Sequence, residues 1–122
     1  MGFREHLQEV VRAVDGAVAC SLMGVDGIEV DTHLTDGAGG IDVRTLLIEY
    51  SSLFRLAREA AETHQAGAVS ELCIQTDLIL TVARLVTSEY FMVVALRADG
   101  NFGKARYVLR VTAPRLRSEL EL

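Results

Sequence analysis

The sequence contains little of what membrane proteins, secreted proteins and disulfide scaffolds require. It has no tryptophan, one proline and two cysteines, and 6% of its residues are aromatic. Its longest uninterrupted apolar runs, such as positions 90–96, are far shorter than the roughly 20 residues of a membrane-spanning helix. We therefore expect no membrane insertion. Cys20 and Cys73 stand alone in apolar surroundings, and we interpret both as small buried residues in a reducing compartment.

The length and composition indicate one acidic domain. The chain of 122 residues is 50% hydrophobic and 24% charged, which is enough for one core, so we expect a single domain over 1–122. Charged residues interrupt the apolar positions of 1–14, whereas a secretory signal needs an unbroken apolar stretch, so we expect a cytoplasmic protein.

The net charge is −5, yet positions 100–122 hold five basic and two acidic residues. This basic end lies on a predicted helix with few aromatic residues, so we expect no nucleic-acid binding.

Hydrophobic periodicity predicts three helices and five strands. Asp26 and Gly27 form a two-residue hairpin signal between the first two strands. Asp42 suits the N-cap of a long second helix, and the glycine-rich stretch before it predicts a mobile loop. The predicted helices cover 3–14, 43–65 and the region from 102 onward, and the predicted strands cover 17–25, 28–34, 68–76, 78–86 and 89–97.

This order of elements, α-β-β-α-β-β-β-α, predicts an α+β fold with a five-stranded antiparallel sheet. The long helix should cover one face and the two terminal helices the other. Strand 89–97 is apolar at nearly every position and should be central, whereas 68–76 carries Glu71 and Gln75 and should be an edge. Pro114 lies inside the last helical pattern, so we expect a kink there or two short helices.

The long helix has a wider apolar stripe than one sheet can cover. Its main row runs from Val43 through Leu47, Tyr50 and Phe54, and neighbouring leucines widen it. A second partner should therefore cover the surplus.

Residue patterns for catalysis are missing. The glycine-rich loop has no Lys-Ser/Thr to hold phosphate, so the chain should not itself be an NTPase. The three histidines fall on different elements at no metal-ligand spacing, and Ser51 and Ser52 lie within a helix rather than on a nucleophile turn. We expect no enzyme, no cofactor and no metal.

The sequence resembles the roadblock/dynein light chain family over nearly its whole length. The most specific segments are Gly16-Ala17 entering the first strand, Asp26-Gly27 at the hairpin, and Asn101-Phe102-Gly103 with Ala105 and Arg106 at the start of the last helix. Gly16 and Gly27 suit turn conformations, and Gly103 should permit a close approach of the last helix to the sheet.

The resemblance implies a sheet order of 2-1-5-4-3 and a dimer in which the third strands pair at their edges and the long helices pack side by side. Bacterial members of the Mgl-type subgroup regulate small Ras-like GTPases, and some accelerate GTP hydrolysis by positioning the residues of the GTPase. The residues expected at the homodimer interface are Leu46, Leu47, Tyr50, Leu53, Phe54, Glu71, Cys73 and Gln75.

A partner GTPase is expected to dock on an outward stripe of the long helix. The stripe comprises Arg44, Ile48, Ser51, Arg55 and Glu59. The alternative is that Arg44 and Arg55 only solvate the helix and pair with Glu59 or Glu62. A second possible docking site is the basic last helix, with Arg106, Arg110 and Arg117.

Two further alternatives stay open at this point. The chain either activates a GTPase or only docks it, because the sequence ends after the last predicted helix, without the C-terminal tail that some Mgl-type members use. The α/β arrangement would also suit a PAS-like or profilin-like sensory module with a small-molecule pocket between sheet and helix. The apolar strand positions offer no convergent polar group for such a ligand.

Overall fold

A computed structural model describes residues 2–121. Within this range the chain forms three α-helices and five strands, in the predicted order. The elements are α1 (Phe3–Ala13), β1 (Ala17–Gly24), β2 (Glu29–Leu34), α2 (Val43–Thr63), β3 (Glu71–Gln75), β4 (Ile79–Leu85), β5 (Tyr90–Arg97) and α3 (Phe102–Leu120).

The five strands form one antiparallel sheet in the order β2-β1-β5-β4-β3. The predicted α+β fold and the sheet order 2-1-5-4-3 are therefore confirmed. β5 lies at the centre, and its residues from Phe91 to Leu96 are all buried, because helices cover both faces there. β2 and β3 are the two edges.

The helices lie on the two faces as expected. Leu7 and Val10 of α1 pack with Leu109 and Leu116 of α3 in one apolar cluster against the sheet. Val43, Leu47 and Phe54 of α2 belong to a second cluster on the opposite face. The ring of Phe54 stacks on Phe91, with centroids 4.5 Å apart.

Local hydrogen bonds fix where the helices begin. The Asp42 carboxylate accepts a hydrogen bond from the Thr45 amide at 3.1 Å, so Asp42 is the N-cap of α2, as predicted. The Asn101 side chain caps α3 by accepting from the Lys104 amide at 3.0 Å. The loop before α2 is more regular than predicted, because Asp36–Ala38 forms a 3₁₀ turn.

Glycines allow a close approach at the start of β1, but not where Gly103 lies. Gly16 has a φ of +88°, and a Cβ atom there would lie 2.6 Å from Gly100 Cα. A Cβ at Gly100 would in turn lie 2.7 Å from the Asp15 carbonyl oxygen. The nearest atom to a Cβ at Gly103 is Asn101 Oδ1 at 4.0 Å. The prediction for Gly103 was wrong, because Gly100 supplies the tight contact instead.

α3 continues through Pro114 as one helix, so the expected division into two helices does not occur. Proline removes one amide and leaves the Arg110 carbonyl without its α-helical hydrogen bond. Leu109 and Leu116, on either side of the proline, are both fully buried. Their burial holds both halves of the helix on the sheet and offsets the local cost, which is about 3 kcal/mol in a regular helix.

We expect Phe54→Ala to lower the free energy of unfolding by about 3–5 kcal/mol, because it removes a buried ring and leaves a cavity. Urea denaturation at a fixed protein concentration measures the change. Leu78→Ala is the control, since Leu78 is 67% exposed, and its effect should stay within about 0.5 kcal/mol. Equal effects of the two substitutions would contradict the packing described for α2.

Candidate functional site

Apart from the row that packs on the sheet, the surface of α2 divides into two flanks, one of which packs partly on the core through Leu46 and Tyr50. The apolar flank consists of Leu46, Tyr50, Leu53, Ala57 and Ala60, spaced four, three, four and three residues apart. This spacing keeps them on one side of a helix. The mixed flank consists of Arg44, Ile48, Ser52, Arg55 and Glu59 and lies on the other side.

Large apolar side chains on this surface reach solvent. Leu53 is 44% exposed, Leu56 is 55% exposed and Ile48 is 38% exposed. Leu53 belongs to the apolar flank, Ile48 to the mixed flank, and Leu56 lies between the two flanks. Several exposed leucine and isoleucine side chains on one helix are typical of a surface that another protein covers.

Three residues predicted for the outer surface lie instead beneath the helix. Leu47 and Phe54 are each 1% exposed and pack on the sheet of their own subunit, so they cannot contribute to a dimer interface. Ser51 is also buried, and its hydroxyl donates to the Ile48 carbonyl at 2.5 Å. These positions, four and three residues apart, form the row that faces the sheet. Ser52, not Ser51, belongs to the mixed flank.

The N-terminal part of α2 is tied to the edge strand β2. Arg44 forms two hydrogen bonds to the Glu29 carboxylate, one of them from Nε at 3.0 Å. Thr32 donates to the same carboxylate at 2.6 Å and shares a 2.5 Å hydrogen bond with the buried Ser21 hydroxyl. The bonds from Arg44 are the main reason that the pKa of Glu29 lies below its ordinary value; burial opposes them, and the bond from Thr32 lowers the pKa further.

The arginines of α2 do not pair as the solvation alternative supposed. Arg44 pairs with Glu29 on another element, and it is Arg58 that reaches Glu62, at 3.3 Å. Within residues 2–121, no ion pair or hydrogen bond engages the Arg55 side chain. Arg55 and Ile48 are thus both exposed on the mixed flank, two helical turns apart.

The predicted residues of β3 lie on the edge of the sheet. Glu71, Cys73 and Gln75 pair with Arg84, Val82 and Leu80 of β4, and no strand within residues 2–121 covers the other side of β3. Cys73 is exposed, not buried as predicted, because an edge strand has neighbours on one side only. Partial burial, and then the charge of Glu71, raise the pKa of its thiol.

The sequence did not reveal a buried polar contact between the terminal helices. His6 of α1 is 5% exposed, and its Nε2 lies 3.0 Å from a carboxylate oxygen of Glu119 on α3. The two residues are 113 positions apart, so no local pattern could have paired them.

The space between the sheet and α2 is occupied by side chains. Leu47, Phe54 and Phe91 fill it and are 1–2% exposed. A sensory ligand between sheet and helix would have to displace this packing. Within residues 2–121, no three His, Cys, Asp or Glu side chains are placed to share a metal ion, and no helix is long and apolar enough to cross a membrane.

The chain is similar to MglC from Myxococcus xanthus, with a sequence identity of 54% and a TM-score of 0.72. The match covers 98% of this chain and 99% of MglC. A roadblock/LC7 domain from Streptomyces avermitilis is 17% identical and covers 100% of both chains with a TM-score of 0.84. An MglB with a tetrameric arrangement is 17% identical, with 94% of this chain and 85% of that chain covered and a TM-score of 0.80. No protein-family model and no curated protein sequence matches the chain.

These similarities carry different information. The identity with MglC extends over both chains and indicates a close relationship. The two matches at 17% identity indicate the fold alone, although the Streptomyces domain superposes better than MglC does. The fold is therefore retained where most of the sequence differs.

We expect the free energy of unfolding to fall in acid partly because Glu29 becomes protonated. Its pKa is lower in the folded than in the unfolded chain, so the Arg44–Glu29 pair stabilises the fold above the unfolded pKa of about 4.3 and loses its effect as the pH falls through the folded value. Arg44→Gln should weaken this dependence, which chemical denaturation at a series of pH values would measure. Arg55→Gln is the control and should retain the wild-type profile. Identical profiles for all three proteins would contradict a stabilising role of the pair.

Proposed function

The chain belongs to the roadblock/LC7 family, in its Mgl-type branch, and from this premise we propose that it is a dimeric, non-enzymatic scaffold that binds a small Ras-like GTPase. The observation that carries the proposal is the exposure of apolar side chains on both flanks of α2, Leu53 on one and Ile48 on the other. One helix thereby offers a surface for a second copy of the chain and another for a partner.

The apolar flank supports self-association. Its residues alternate at four and three positions, the spacing at which two helices interlock along a seam. Leu46, Tyr50 and Leu53 are large, whereas Ala57 and Ala60 are small and permit a close approach of a second helix. The tetrameric arrangement of the related MglB supports the view that this fold assembles with copies of itself.

The placement of the flanks supports a dimer through β3. Arg44, on the mixed flank, bonds to Glu29 of β2, so the apolar flank faces the opposite side of the sheet, toward β4 and β3. A second copy that pairs along the free edge of β3 would place its own α2 beside this flank. In this arrangement Glu71, Cys73 and Gln75 of β3 lie at the strand junction, and Leu53 lies between the helices.

The mixed flank supports docking of the GTPase. Ile48 supplies an apolar contact, and Arg55 supplies a guanidinium that is not already paired within residues 2–121. Arginine and large apolar side chains on one surface are a common composition for a protein interface. Stimulation of GTP hydrolysis would need no catalytic group on this chain, since a docked protein can act by positioning the residues of the GTPase itself.

We expect Leu53→Asp to convert the dimer to monomers, because it places a charge in the apolar seam. Light scattering of the purified chain at micromolar concentration measures the mass. Ile48→Asp introduces the same charge on the opposite flank of the same helix and should leave the dimer intact. A wild-type protein that remains monomeric, or equal loss of dimer in both variants, would contradict the proposed seam.

We expect Ile48→Asp combined with Arg55→Glu to weaken binding of the GTPase encoded nearest to the gene for this chain by about tenfold, or about 1.4 kcal/mol. Calorimetric titration measures the affinity, with circular dichroism and light scattering to establish that the variant is folded and dimeric. The matched control is Val111→Asp with Arg115→Glu on α3, because Val111 is also 38% exposed. Loss of binding in the control alone would move the docking site to the last helix.

A further inference from the structure

Four arginines line two adjoining clefts between α3 and the outer strands of the sheet. Arg84, Arg106 and Arg110 line the first, of about 210 Å³, together with Glu71 and Tyr107. Arg84, Arg110 and Arg117 line the second, of about 130 Å³. Because Arg84 and Arg110 belong to both, the two clefts form one continuous surface, the arginine cleft.

The fold assembles this cluster from two separate elements. Arg106, Arg110 and Arg117 are four and seven positions apart, so they share one face of α3. Arg84 comes from β4 and lies opposite Glu71 of β3 in the strand register. Four positive side chains therefore converge with one carboxylate, in a chain whose net charge is −5.

The arginine cleft already binds one carboxylate, that of Glu71. Arg106 donates to it from Nε at 3.1 and 3.2 Å and from Nη2 at 2.8 Å. These bonds from Arg106 are the main reason that the pKa of Glu71 lies below its ordinary value, and the charges of Arg84 and Arg110 lower it further. Arg106 thus already holds one anionic group in this cleft, with the charges of Arg84 and Arg110 nearby.

Arg106 is the one arginine of the cleft that is paired with a carboxylate within residues 2–121. Arg117 donates to the Val86 carbonyl at 2.9 Å, and Arg110 lies over the ring of Tyr107 at 5.7 Å. Within residues 2–121, neither Arg84 nor Arg110 forms an ion pair. Unpaired guanidinium groups beside a carboxylate that is already bound leave capacity for further anionic groups.

We propose that the arginine cleft binds an acidic segment of a partner protein, with carboxylates of that segment held by Arg84 and Arg110. The planar guanidinium group matches the two oxygens of a carboxylate, as Arg106 and Glu71 do in the same cleft. The cleft lies on the α1 and α3 face of the sheet, opposite α2. A partner bound here would therefore leave both flanks of α2 free, and through Glu71 the cleft opens beside the β3 edge of the proposed dimer.

Two neighbouring features favour a protein segment over a nucleic acid or a lipid headgroup. Tyr107, which is 53% exposed, also lines a groove with Val108 and Val111, so apolar side chains adjoin the charges. Arg110 and Pro114 both line the second cleft, and since proline lacks the amide that would bond to the Arg110 carbonyl, this carbonyl could accept a backbone amide of a bound peptide. A lipid headgroup or a sugar–phosphate backbone presents neither an apolar side chain beside its anionic group nor a backbone amide.

The test uses a fluorescently labelled peptide that alternates glutamate and leucine, titrated with the full chain while fluorescence anisotropy is measured. The wild-type protein should bind it saturably. Arg84→Gln with Arg110→Gln should weaken binding by about tenfold or more, because two charge-assisted contacts are lost. The matched control, Arg55→Gln with Arg58→Gln, removes the same charge from α2 on the opposite face of the sheet and should bind as the wild type does.

Two further variants distinguish a specific binding site from non-specific electrostatic attraction. Arg84→Lys with Arg110→Lys retains the charge but not the forked geometry, so it should also bind more weakly. Glu71→Gln releases Arg106 for the peptide and should tighten binding. Circular dichroism establishes whether each variant is folded. If the variant with Arg84→Gln and Arg110→Gln does not fold, the lysine and Glu71 variants still test the proposal.

Three results would overturn the proposal. One is the absence of saturable peptide binding by the folded wild-type protein. Another is equal binding by the lysine variant and the wild type, or no tightening by Glu71→Gln, either of which would indicate diffuse attraction. The third is preferential binding of an oligothymidylate or of phosphatidylserine vesicles that the glutamine pair abolishes, which would assign the arginine cleft to phosphate groups.

Discussion

The rotation of α2 about its own axis is the constraint on which its outer surface depends. The row formed by Leu47, Ser51 and Phe54 is buried against the sheet, and the stacking of Phe54 on Phe91 fixes it at the central strand. Since an α-helix has 3.6 residues per turn, fixing this row fixes every other position on the helix. The separation of the apolar flank from the mixed flank follows from this packing.

Arginine–carboxylate pairs tie helices on both faces of the sheet to its two edges. Arg44 of α2 and Arg4 of α1 reach Glu29 and Asp31 of β2, and Arg106 of α3 reaches Glu71 of β3. Exposed pairs of this kind contribute little to stability. Their importance is positional, because they determine which side of each helix is occupied by an edge strand and which remains available.

The two proposed partner surfaces differ in physical character because they lie on opposite faces. The surface of α2 combines exposed leucine and isoleucine with few unpaired charges, which suits apolar packing against folded proteins. The arginine cleft has several guanidinium groups around a narrow space, which suits the side chains of an acidic segment. A scaffold with both could hold two partners at once without competition between them.

The sequence by itself determined the elements, their order and the family, because helical and strand periodicities, the Asp26-Gly27 hairpin signal and the Asp42 cap are local properties. It also identified β5 as central, since a strand that is apolar on both sides requires cover on both faces. The apolar stripe of α2 was recognised as too wide for one partner. The sequence was a poorer guide to which residues of α2 would face that partner.

Only the tertiary structure decided which side of each element is covered. A wide stripe fits several rotations of α2, so Leu47, Ser51 and Phe54 could be placed beneath the helix only once the contact with Phe91 was known. Cys73 proved exposed because β3 is an edge. The arginine cleft joins Arg84 to arginines of α3 that are 22 or more positions away, and the His6–Glu119 contact joins residues 113 positions apart. Such pairings arise from the folding of separate elements onto a common sheet, which no local pattern encodes.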